Sequence, residues 1–280
     1  PLPAFLAEPS RIGTEISVTG KWVPTNPSSR FRTSAESREM VAEWEDIHTG
    51  ARAHPGVLAT EINHAVGDDA VLVHHVFADA DALGDYFSTT ATEHIAALTC
   101  VARPELHMVR GLDIPSAARD AIESKGVPVA FGEWIYGFAR DDDRRPDPTT
   151  AVQVTAKWTC MPGDHLDELR HWWQLVGADV HGTEPGLVRF EGFQVPGEDA
   201  LIIHETFTDS DALKFHLTKG AADKYKKDID QIAAPEAYYF RGPVAWTIRT
   251  YSKFMHLPAT YTSQGRHHTQ PGGTYSEGRN

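Results

Sequence analysis

Apolar and polar residues along the chain fall into two alternating rhythms, and the same succession occurs twice. Ile16–Val23 alternates with the two-residue period of a strand and is rich in β-branched residues. Over 34–54 the apolar residues Met40, Val41, Trp44 and Ile47 return every three or four positions, which predicts an amphipathic helix. Pro55-Gly56 marks a turn, and strands follow at Val57–Asn63 and Val71–Phe77, joined by the acidic turn Gly67-Asp68-Asp69. Asp79 is placed to cap a helix over 81–98, and Leu106–Gly111 reads as a closing strand. The second half runs the same way. Strand Val152–Thr159 precedes a helix over Asp164–Gly182, with Asp164 and Glu168 as capping residues, and the turn Pro185-Gly186. Strands Leu187–Phe193 and Leu201–Phe207, a helix over 211–230 behind Asp209, and strand Ala237–Gly242 complete it.

The letters repeat as well as the rhythms. Ala70–Leu83 lies over Ala200–Leu213 with seven of fourteen positions identical, and Val18-Thr-Gly-Lys-Trp22 matches Val154-Thr-Ala-Lys-Trp158. Pro104-Glu105 and Arg110-Gly111 return as Pro235-Glu236 and Arg241-Gly242. A conserved order with slowly drifting offset is the mark of an internal duplication. Each copy has the order β-α-β-β-α-β of a ferredoxin-like unit. The expected fold class is therefore α+β, with two tandem ferredoxin-like units packed as an intrachain dimeric α+β barrel. The expected boundaries are 12–113 for the first repeat and 114–149 for a linker with an extra strand. The second repeat takes 150–243, an extra C-terminal strand 244–256, and a mobile tail 257–280. Val127–Ala139 and Val244–Phe254 both alternate like strands and are expected as swapped edges. His267-His268 falls in the tail, whose Gly, Ser and Thr content predicts solvation.

Composition narrows the function classes. With 26 Lys+Arg against 39 Asp+Glu, the net charge of −13 opposes binding to nucleic acid or to anionic membranes. No apolar run approaches the roughly 18 residues of a membrane helix, and the first residues lack the basic start of a signal peptide. A cytoplasmic location is the expectation. Cys100 and Cys160 form no CxxC pair and read as buried small hydrophobes. The excess is in histidine, with 15 against 12 Phe and 8 Tyr. The sequence holds no GxGxxG, P-loop or GxSxG, and no helical His-x-x-x-His pair, so no metal site is expected.

The run from the Lys-Trp strand to Leu201-Ile-Ile-His-Glu-Thr-Phe207 and Asp209-x-x-Ala-Leu-x-x-His-Leu217 resembles the antibiotic biosynthesis monooxygenase family, of the dimeric α+β barrel superfamily. The second copy carries the family's Glu205, Phe207, Ala212 and His216. The first departs, with His75 in place of the Glu and Tyr86 in place of the helix His. The resemblance spans about 15–112 and 150–242. Among its members are cofactor-free oxygenases of polyketide phenols, quinol oxidases, haem-degrading proteins and cyclases.

This leads to an expected function: a cofactor-independent monooxygenase-type oxidoreductase acting on a hydrophobic phenolic or polyketide-like small molecule. Molecular oxygen would be co-substrate, and haem or a metal ion is the runner-up cofactor. His74 and His204, identical in both copies, are the candidate bases, because a neutral imidazole can take a phenolic proton near pH 7. His216 matches the family's helix histidine, and His94 sits on the corresponding helix of the first copy. Trp158, Trp22, Glu205, His75, Phe207 and Trp173 are candidate substrate-binding residues, the indoles offering N–H donors and flat faces. The second copy is expected to be the active one. Three alternatives stand beside this reading: a cyclase, isomerase or lyase using the same histidines without O₂, a non-catalytic small-molecule binding protein, and a haem-binding or haem-degrading protein. Further association would be as a homodimer.

Overall fold

The computed structural model describes residues 6, 14–25, 35–66, 70–140, 147, 149–262 and 266–269. It divides into two compact units. The first holds β1 (Ile16–Pro24), α1 (Ala35–Ala53), β2 (Val57–His64), β3 (Val71–Phe77), α2 (Ala80–Ser88), α3 (Thr90–Val101), β4 (Ala102–Gly111) and α4 (Ser116–Glu123). Strand β5 (Val129–Ala139) begins in the first unit, and from Gly132 onward belongs to the second. The second unit continues with β6 (Val152–Cys160), α5 (Leu166–Thr183), β7 (Leu187–Gln194), β8 (Ala200–Phe207), α6 (Ser210–Thr218), α7 (Ala221–Ile232), β9 (Ala233–Arg241), α8 (Trp246–Phe254) and β10 (Ala259–Tyr261). The last strand, β11 (Arg266–Thr269), belongs to the first unit.

The strand order in the first unit is β11-β2-β3-β1-β4, followed by the start of β5. In the second it is β5-β7-β8-β6-β9-β10. Matching registers underlie the likeness: Thr19 pairs with His74 and Val18 with His75, as Thr155 pairs with His204 and Val154 with Glu205. Asp79 and Asp209 each accept the N–H three residues on, at 2.8 Å, so the expected N-caps are formed. One face of each sheet meets the helices. In the first unit Val18, Trp22, Val73 and Phe77 pack with Trp44, Ile47, Tyr86 and Leu98. In the second Val154, Trp158, Ile203 and Phe207 pack with Leu169, Trp173, Val176 and Leu213.

Several elements differ from expectation. The predicted helices 81–98 and 211–230 are each two, broken at Thr89 and at Lys219–Gly220. Short helix α4 falls in the stretch expected to link the repeats. Val244–Phe254, expected as a strand, forms α8 instead, burying Ile248 and Ser252 one turn apart and leaving Trp246 and Phe254 in solvent. Asp164 and Glu168 do not supply the cap of α5, whose N-cap residue is His165 and makes no side-chain capping bond. Residues 257–280, expected as a mobile tail, contribute β10 and β11; the rest of that segment beyond Thr269 lies outside the described residues. So do the start at Ser34 and the turn Gly67–Asp69.

The two segments after the repeats correspond strand for strand. Tyr136–Ala139 of β5 pairs antiparallel with Gly192–Arg189 of β7, while Arg266–Thr269 of β11 pairs antiparallel with Ile62–Ala59 of β2. One outer strand of each unit therefore comes from the chain that follows the other repeat.

Candidate functional site

Period-two alternation decides which side chains of β3 and β8 reach the helices. His75 and Glu205 do; their neighbours His74 and His204 point to the opposite face. There His74 Nδ1 lies 2.8 Å from Thr19 Oγ1, and His204 Nδ1 3.0 Å from Thr155 Oγ1, each on its directly paired residue. Both histidines are completely buried. Two cavities among the described residues open on the helix side, and His74 and His204 line neither of them.

The first unit's pocket lies between β1, β3, β4 and the helices, with about 480 Å³ of space between its lining atoms, the solvent at its mouth included. Its walls are mostly apolar, and Trp22, Trp44, His75, Tyr86, His94 and His107 are among its ring-bearing residues. Trp22 and Trp44 meet edge to face with ring centres 5.7 Å apart. The Trp22 indole donates to His107 Nε2 at 3.0 Å. Since Nε2 accepts, the proton of this ring sits on Nδ1 and is given to the Glu105 carbonyl at 2.8 Å. Burial lowers His107 to a pKa of about 4 against the smaller raising effect of that bond, so the ring stays neutral. Gly20 makes room for it, because a Cβ there would stand 2.0 Å from His107 Cδ2. His75, bonded to Thr60 Oγ1 at 2.9 Å, is lowered to about 3 by burial and by the neighbouring His74.

Trp44 and His94 are among the uncommitted polar groups on this wall. Trp44 Nε1–H is buried and has no acceptor among the described residues. His94 reaches the cavity from α3 while remaining half-exposed, and neither of its ring nitrogens is engaged in a hydrogen bond. A largely apolar chamber with an unpaired indole donor and a partly exposed imidazole can hold an oxygen atom and accept a proton from it.

The second unit's pocket, with about 330 Å³ of space between its lining atoms, the solvent at its mouth included, has a different character. Trp158, Trp173 and Tyr238 form its aromatic side, and Glu205 and His216 its charged side. His216 Nδ1 lies 2.9 Å from Glu184 Oε2, and Nε2 3.1 Å from Glu205 Oε1. Glu184 in turn accepts the Ala221 N–H at the start of α7, at 2.7 Å. Burial alone would lower the His216 pKa, but the Glu205 charge and the bonds to Glu184 and Glu205 override it and raise it to about 10. The ring is therefore an imidazolium at neutral pH and holds no free lone pair for base catalysis. Phe207 packs on this ring at 5.3 Å.

Of the residues expected at a site, Trp22 and His75 share the first cavity, and Trp158, Trp173, Glu205 and His216 share the second. Sequence reasoning missed Trp44 as a donor, and it missed His107. The signal for His107 is a pair of differences between the copies. Gly20 stands where the second copy has Ala156, and its cross-strand partner His107 stands where the second copy has Tyr238.

Among the described residues, no three His, Cys, Asp or Glu side chains are grouped to share a metal ion. No described helix is long and apolar enough to cross a membrane. No family model matches the sequence, and no curated protein matches it. Solved structures do resemble it. A candidate monooxygenase from Fusobacterium nucleatum superposes with a TM-score of 0.51 at 10% identity, over 80% of this chain and 90% of that one. Another from Lactobacillus acidophilus gives 0.46 at 13% identity, over 81% and 91%. An anthrone oxidase-like protein gives 0.49 at 11% identity, over 86% and 92%. The likeness is one of fold, and this chain shares the fold of the dimeric α+β barrel proteins.

Proposed function

We propose that the chain is a monooxygenase-type oxidoreductase that takes a flat, hydrophobic phenol into the cavity of the first unit. The observation that carries this reading is the neutral aromatic chamber in which Trp44 Nε1–H lacks an acceptor and His94 lacks a partner. A phenolic oxygen would accept from Trp44, and the rings of Trp22 and Trp44 would flank the substrate. The base moves from His74 or His204, on the other sheet face, to His94, whose exposure lets an accepted proton pass to solvent. His75 and His107, kept neutral by burial, add no charge that would compete with a developing phenolate. The substrate anion would then give an electron to O₂. For an anthrone the balance is anthrone plus O₂ to anthraquinone plus water. One oxygen atom becomes the new carbonyl, the other leaves as water with the two hydrogens removed, and the substrate supplies every electron.

The test is oxygen consumption with anthrone as probe, with and without O₂, on purified protein whose absorption spectrum and metal content are recorded. Quinone formation that requires O₂ is expected, falling about 10²-fold or more in Trp44→Phe and in His94→Gln. Full turnover in both variants would sink the proposal. Turnover without O₂ would favour the cyclase, isomerase or lyase reading, and a Soret band the haem reading.

A further inference from the structure

The second cavity carries a charge that the proposed function does not use. Both ring nitrogens of His216 face carboxylate oxygens, which only accept, so the ring carries a proton on each nitrogen and a single positive charge. Two carboxylates share that one charge. Glu184 is further satisfied by the Ala221 N–H at the N-terminus of α7. Glu205, lining the cavity, has the His216 ring as its charged partner among the described residues, Oε1 lying 3.1 Å from Nε2.

The aromatic groups opposite this carboxylate do not stack. Trp158 meets Trp173 at 64° and Tyr238 at 79°, with ring centres 5.5 and 5.9 Å away, so the three rings wall the space from different directions. Burial, with the Glu205 and Asp230 charges, holds the Tyr238 hydroxyl protonated and its ring neutral. Trp173 is 5% exposed, and its Nε1–H finds no acceptor. This character is specific to the second unit: the first copy has His54, His75 and Tyr86 where the second has Glu184, Glu205 and His216.

We propose that the second cavity is a binding site for an organic ammonium ion bearing a hydroxyl or ether oxygen. The cation sits against Glu205 and the faces of Trp158, Trp173 and Tyr238, and the oxygen accepts from Trp173 Nε1–H. Rings of this kind attract cations through their quadrupole, most strongly when the cation is desolvated. The proposal rests on the second cavity alone, so it stands or falls apart from the oxygenase reading.

Calorimetric titration of the full chain with three probes tests it: choline, its neutral isostere 3,3-dimethylbutan-1-ol, and tetramethylammonium. Choline is expected to bind at least about tenfold more tightly than the neutral alcohol. Trp173→Phe keeps an aromatic face and removes the N–H, so it weakens choline several-fold more than it weakens tetramethylammonium. Glu205→Gln brings choline down to the level of the alcohol. If that variant does not fold, the wild-type comparison and Trp173→Phe still decide. Equal binding of choline and the alcohol, unchanged choline binding in Glu205→Gln, or no choline binding at about millimolar affinity would each overturn the proposal.

Discussion

The imidazolium of His216 gives the chain a stability term with a defined pH window. Its folded pKa of about 10 lies above the free value of 6.5. That gap corresponds to roughly 5 kcal/mol of preferential proton binding by the folded state. The contribution is complete below pH 6.5, shrinks by about 1.4 kcal/mol per pH unit above it, and is gone beyond about pH 10. His216→Gln removes the charge at every pH and strands two buried carboxylates, for which a cost of about 3–5 kcal/mol is expected near neutrality. Urea unfolding of both proteins from pH 6 to pH 10, followed by tryptophan fluorescence, reads the difference. The gap between wild type and variant should be widest at the acid end of this range and narrow steadily as pH rises. A gap that stays constant would refute the reasoning, as would a His216 imidazole signal, assigned by its loss in the variant, that titrates near 6.5.

Two further outcomes follow from the first unit. His75 and His107 are depressed to about 3 and about 4, so the unfolded chain binds protons that the folded one refuses. Their contribution is present above pH 6.5 and is lost progressively as pH falls toward 4, and His75→Leu should flatten the acid limb of a Tm-against-pH curve. Removal of residues 262–280 strips β11 from β2 and leaves a bare strand edge. A lower first-unit melting temperature and concentration-dependent aggregation are expected, and unchanged melting with no aggregation by light scattering would count against the pairing.

The architecture was largely legible because it is written twice. The strand Val71–Phe77 and its copy carry enough apolar letters to fix both registers, and the Asp caps behind them are formed. What escaped reading had weak or double-edged patterns. Trp246, Ile248 and Phe254 suit an alternating strand on paper, yet the segment is a helix that buries Ile248 and Ser252 and exposes the two aromatics. Arg266-His-His-Thr269 has no apolar rhythm at all, since an outer strand is held by main-chain pairing rather than by side-chain burial. The site was half legible. Alternation separates His74 from His75, but only the helices tell which face holds a cavity. The donor at Trp44 was hidden by its role as a regular apolar helix position.

The crossed supply of outer strands also governs the order in which this chain can mature. A ribosome delivers β4 long before β11, and the roughly 150 residues between Gly111 and Arg266 take on the order of 10–30 s to synthesise. During that interval the nascent first unit exposes β2 as an unpaired edge. The earliest-made half is thus the last to be finished, and an agent that shields β2 would act in those seconds.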